Sequence, residues 1–189
     1  MLKKIIKGDF GYIPKKRNRV ILITIIYFAI SAAIIITGYV TTGTKRNLLT
    51  VVGILGCLPA CKSAVSMIMF IKAKGCTQSS YEQINPLCDK LISMYDMYFT
   101  SYSKNYPISH MVVNDNVIIG FYEADKFDEK ECINHLNTIL KTAGHKNITV
   151  SLTNDINKYK NMLGSMNQKI STNEAKDDEV RISLYEVTL

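Results

Sequence analysis

The sequence predicts an α+β membrane protein, in which a two-helix transmembrane hairpin is followed by a small mixed α/β cytoplasmic domain. Three observations lead there. Two long apolar stretches lie close together near the N-terminus, basic residues crowd beside them, and beyond residue 78 short helical and strand periodicities alternate. The averages conceal this division, because charged residues make up 21% of the chain and the mean hydropathy is close to zero.

Residues 20–40 (VILITIIYFAISAAIIITGYV) run for 21 residues without a charge. As a helix they span about 31 Å, the thickness of a bilayer's hydrocarbon core. Residues 48–71 form a second candidate span, and only the seven residues 41–47 (TTGTKRN) separate the two, so they must run antiparallel. A cleaved secretory signal has a shorter head and a shorter apolar core, so the chain is read as uncleaved. The head, residues 1–19, carries seven basic residues against Asp9 alone, whereas the connecting loop has only Lys45 and Arg46. Cytoplasmic flanks are enriched in such cations, which predicts a multi-pass cell-membrane protein with both termini cytoplasmic. Leu2, Ile5, Ile6, Phe10, Tyr12 and Ile13 interleave with the lysines of the head. That pattern suits a segment resting on anionic lipid headgroups; a basic flank that only sets topology is the alternative.

Within the second span Gly53, Gly56 and Ala60 offer small side chains for close helix contact, either inside the hairpin or between copies in a homo-oligomer. Pro59 is expected to kink the helix. Lys62 lies about six residues, roughly 9 Å, inside a cytoplasmic boundary near residue 68. Its ammonium either snorkels to the headgroups, makes a polar contact between helices, or lines an ion path. Cys57 and Cys61 share a helical face inside the span, and Cys76, Cys88 and Cys132 show no paired spacing, a usage suited to a reducing compartment.

Residues 79–189 hold eleven basic and fifteen acidic groups, a net charge of −4, so the basicity of the whole chain resides at the membrane surface and no nucleic-acid partner is expected. Element by element, residues 79–99 carry apolar positions at Ile84, Leu87, Cys88, Leu91, Ile92 and Tyr95, the spacing of a helix. An aromatic-rich strand follows over 98–106. "ISHMVVNDNVIIGFYEA" reads as a hairpin turning at Asn114, Asp115 and Asn116. Asp128 caps a helix that stops at Gly144, "NITVSLT" is a buried strand, and Asn154 or Asp155 caps the next helix. Residues 168–179 read as a polar linker and "VRISLYEVTL" as a candidate final strand. The order is α-β-β-β-α-β-α, with domain limits at 1–19, 20–72, 73–168 and 169–189.

This order resembles that of restriction-endonuclease-like domains. The resemblance implies two carboxylates holding a divalent metal beside a lysine that orients water, and the residues to fill those roles are Glu82, Asp115, Glu123 and Lys126. The sequence departs from the family's acid-x-Lys pattern, since Glu123 and Lys126 are three apart and would point to opposite faces of a strand. No two of the three histidines are spaced as metal ligands, and no phosphate loop is present, so no metal and no cofactor are predicted. Tyr95, Tyr98, Tyr102 and Tyr106 form an aromatic run that is either core filling or a protein-binding face. The expected function is therefore a non-enzymatic, membrane-anchored module for binding a protein partner or a second copy. A membrane-tethered hydrolase, in the form of a divergent or inactive nuclease, is the alternative.

Overall fold

The protein is described by a computed structural model that covers residues 6–88, 91–101, 104–169 and 173–189. Among these described residues are six α-helices, two of them long and apolar near the N-terminus, and a mixed sheet of four strands. The chain divides into two compact units, residues 13–73 and the remainder.

The first unit is the helix pair. Helix α1 (Tyr12–Thr42, 31 residues) is about 46 Å long and α2 (Leu48–Lys72, 25 residues) about 37 Å. Helix α1 starts eight residues before the first apolar stretch, so Lys15, Lys16, Arg17 and Arg19 ride on its opening turns. Lys and Arg are good helix formers, and Pro14 in the first turn costs no hydrogen bond. Asn47 caps α2 by accepting from the Thr50 N–H at 2.7 Å, and its side-chain amide donates to the Gly38 carbonyl and the Thr42 hydroxyl, each at 2.9 Å. Gly53 lies against Ile35 and the Ser31 carbonyl, and Gly56 against the Ser31 hydroxyl. The hydroxyls of Thr24 and Ser63 share a hydrogen bond of 2.7 Å between the helices, and Ala60 is buried. Gly53 and Gly56 thus face α1 within the pair. Pro59 sits inside α2 without ending it.

The second unit begins with residues 6–12, and here the sequence reading needs correction. Of the described head, residues 6–12 pack on the folded unit, whereas residues 13–19 belong to α1. The Gly8 carbonyl accepts from the Tyr95 N–H at 2.7 Å, the Lys7 ammonium donates to the carbonyls of Tyr185 and Thr188, and Phe10 stacks on Tyr81 with ring centres 4.0 Å apart. Gly8 has φ +91, and any side chain there would collide with the Tyr185 ring.

The expected helix over 79–99 is also corrected. Helix α3 (Gln78–Ile84) is capped by Thr77 and ends in a single 3₁₀ turn at Asn85–Leu87, because Pro86 cannot continue a helix. Ile92–Thr100 is strand β1 instead. It pairs antiparallel with β2 (Asn105–Asn114), which pairs antiparallel with β3 (Val117–Phe121). The two-residue turn between them has φ 45 at Asp115 and φ 64 at Asn116, the positive pair a tight hairpin requires and short polar side chains tolerate. Helix α4 (Glu129–Thr142), with Asp128 as cap and Gly144 at φ +88 beyond its end, crosses over to β4 (Thr149–Thr153), which lies parallel to β3. The sheet order is β1-β2-β3-β4. Helix α5 (Ile156–Asn167) follows the cap Asp155.

The last correction concerns the C-terminus. Glu174–Val187 forms helix α6 where a linker and strand were expected, and residues 170–172 lie outside the described residues. The apparent alternation also places Val180, Leu184 and Val187 at helical spacing, and Val180 and Leu184 are buried. Of the expected strand only an isolated bridge between Thr188 and Phe99 remains.

The sheet separates two cores. Cys132, Leu136 and Leu140 of α4 and Val180 and Leu184 of α6 cover one face with Met94, Met97, Ile108 and Met111. Ile84, Tyr159 and Leu163 cover the other with Val112, Ile119 and Phe121. Met94 and Met97 are three apart yet share a face, and so do Ile108 and Met111. The strands stay in register, Met94 with Met111 and Met97 with Ile108, so both change face at the same point, where Asp96 has φ 56. That spacing of three mimics a helix in the sequence.

Candidate functional site

A cluster of polar side chains in the folded unit forms where the chain enters α3. Thr77, as cap of α3, donates to Glu123 through its N–H at 3.1 Å and its hydroxyl at 2.7 Å. Ser80 and Ser109 add hydroxyl donors at 2.7 and 2.8 Å. Burial pushes the Glu123 carboxyl upward, but these four donors outweigh it and hold its pKa below the usual carboxylate range. One residue earlier, the Cys76 N–H donates to the buried Asp96 at 2.7 Å. Asp96 also lies so close to Gly75 that a Cβ there would stand 2.5 Å from its carboxylate oxygen. Two carboxylates therefore receive consecutive backbone amides. The Cys76 thiol is pushed up to about 12 by burial and by the nearby Glu123 and Asp96, so it stays protonated and is a poor nucleophile.

A second network lies in the core between β1, β2 and α5. The ring of His110 lies against that of Tyr95, tilted by 45° with centres 4.3 Å apart; its Nδ1 shares a hydrogen bond of 2.7 Å with the Tyr159 hydroxyl, and its Nε2 stands 3.8 Å from the Cys88 sulfur. Burial lowers the His110 pKa to about 3, so the imidazole is neutral at physiological pH. A thiol, an imidazole and a phenol in line suggest nucleophilic chemistry at first sight. An imidazole that does not ionise in that range cannot form a thiolate pair, and His110 and Tyr159 are enclosed in the core. This is a satisfied polar core.

The residues marked by the nuclease resemblance are not brought together. Asp115 precedes the first residue of β3 and Glu123 follows its last, so a five-residue strand of about 17 Å stands between them. The Asp115 N–H donates to Asp177 at 3.1 Å, Glu82 is exposed and accepts from Gln78, and Lys126 is exposed in the loop before α4. Among the described residues no three His, Cys, Asp or Glu side chains form a group able to hold a metal ion. The aromatic run is corrected as a binding face, since Tyr95, Tyr98 and Tyr106 are buried; Tyr102 lies outside the described residues. Lys62 is exposed on α2, beside the exposed Leu58 and Val65.

The sequence reading missed Asp96, Thr77, Ser80 and Ser109 as partners, and Lys7, Gly8 and Phe10 as part of the folded unit. Only Gly8 carried a signal, as a glycine that marks a backbone turn. The chain matches no known protein family, no curated protein and no solved structure.

Proposed function

We propose that this is a two-span integral membrane protein with both termini cytoplasmic, and that its folded unit is a non-enzymatic interaction module binding a protein partner or a second copy. One observation carries the membrane reading. The adjacent helices α1 and α2, each holding an 18-residue stretch apolar enough to cross a membrane, turn their apolar side chains outward while their hydroxyls and glycines meet each other. Such a surface is stable when hydrocarbon, and not water, covers it. The uneven distribution of cations supports the orientation. The non-enzymatic reading draws support from the way Asp96 and Glu123 spend their oxygens on the chain itself. A tethered nuclease would keep the strand order but lacks the converging carboxylates.

The test uses the full chain in cells. Cysteine introduced at Thr44 should react with an impermeant thiol reagent from outside, and cysteine at Lys126 only after lysis; the reverse pattern overturns the orientation. Release of the protein by alkaline carbonate would overturn the anchoring. Chemical cross-linking in the same membranes, followed by mass measurement, should give a species heavier than the monomer, and a monomer alone would count against the interaction module.

A further inference from the structure

The contacts between α1 and α2 set the depth of Lys62. Thr24 meets Ser63, Ser31 meets Gly56 and Ile35 meets Gly53. Continued toward the start of α1, this antiparallel register places Ile25 level with Lys62 and Arg19 level with Ile68. The Lys62 backbone therefore sits six residues, about 9 Å, from the level of Arg19. Lys15, Lys16, Arg17, Arg19 and Lys72 gather at that end of the pair, whereas Lys45 and Arg46 stand at the other. From Phe10 through Tyr81 the chain has no Asp or Glu. Neither this helix pair nor that of a second copy can supply a carboxylate to Lys62. The ion pairs found among the described residues all lie in the folded unit.

Helical side chains leave the backbone tilted toward the helix N-terminus, which for Lys62 means away from the level of Arg19. The ammonium must turn back along the outer flank of α2, and a phosphate drawn toward it shortens that path. We propose that Lys62, together with the cations at the level of Arg19, seats the phosphate of an anionic phospholipid, whose acyl chain lies along Leu58 and Val65. The proposal rests on the membrane-spanning reading. An anionic lipid fits better than a zwitterionic one, because the helix pair has no acid to neutralise Lys15, Lys16, Arg17, Arg19 and Lys72, and each adds attraction at an anionic surface.

The test reconstitutes the full chain into nanodiscs of phosphatidylcholine containing phosphatidylglycerol as a minor component, and measures the lipid retained after purification. Wild type should enrich phosphatidylglycerol, Lys62→Arg should keep the enrichment, and Lys62→Leu and Lys62→Gln should lower it about fivefold, the effect of one cation at such a surface. Unchanged enrichment in both neutral variants overturns the proposal. So does a change in assembled mass with lipid retention intact, which would assign Lys62 to a protein partner. Carbonate extraction of the same variants separates the two readings: loss of wild type from the membrane refutes the anchoring, whereas inserted protein without phosphatidylglycerol enrichment refutes the lipid seat alone.

Discussion

The helix pair and the folded unit distribute the same residue types in opposite senses. In the pair, Leu58 and Val65 are 68% and 59% exposed while Thr24 and Ser31 are 3% exposed. In the folded unit, Met94, Leu136 and Leu184 are enclosed, and Lys104, Asp128 and Glu131 meet at the surface. Each unit hides the side chains that the other displays. On the proposed membrane reading, the difference teaches that the stability of the pair rests on hydroxyl contacts and close backbone approach, whereas that of the folded unit rests on apolar area removed from water.

That contrast can be broken most severely through the core. Leu136→Ala should destabilise the folded unit by about 2–5 kcal/mol, measured by urea unfolding of the full chain in detergent, and leave carbonate resistance unchanged. Equal losses in both measurements would mean that the two units are not separate in energy.

A smaller effect sharpens the comparison through pH. The folded pKa of His110 is lowered to about 3, below the usual value near 6.5. Above pH 6.5 the residue is neutral in both folded and unfolded chains and contributes nothing. As pH falls through 6.5 the unfolded chain takes up a proton that the folded chain refuses, so stability is lost by up to about 1.4 kcal/mol per pH unit until pH approaches 3. His110→Asn should flatten that slope in acid unfolding curves of the full chain. A slope identical to wild type would assign the acid sensitivity to the carboxyl groups alone.

The smallest effect lies in the pair. Removing the hydroxyls of Thr24 and Ser63 singly and together should reveal a coupling near 0.6 kcal/mol, the average for such contacts between membrane helices. Thermal unfolding of Thr24→Val, Ser63→Ala and the double variant in detergent measures it. A coupling of zero would show that the glycine contacts alone hold the helices.

What the sequence by itself determined was carried by signals that neighbouring residues hold in common. The two apolar stretches needed only their length, the cap Asp128 and a cap at Asn154 or Asp155 only the backbone amides just beyond them, and a turn within Asn114–Asn116 only side chains that accept positive φ. Those expectations hold because the energy involved is local. Tertiary structure alone decided the remainder. Strand β1 reads as a helix until β2 pairs with it, and the paired change of face at Asp96 then explains why Met94 and Met97 stand three apart. Residues 180–189 alternate like a strand, but an apolar face for Val180 and Leu184 exists only once the sheet has formed. Glu123 becomes a hub through Thr77, 46 residues earlier, and the Lys7 ammonium finds its carbonyls 178 and 181 residues later. No window of sequence contains both partners of such contacts. Their formation waits on the closure of long loops, whose entropy the assembled cores offset.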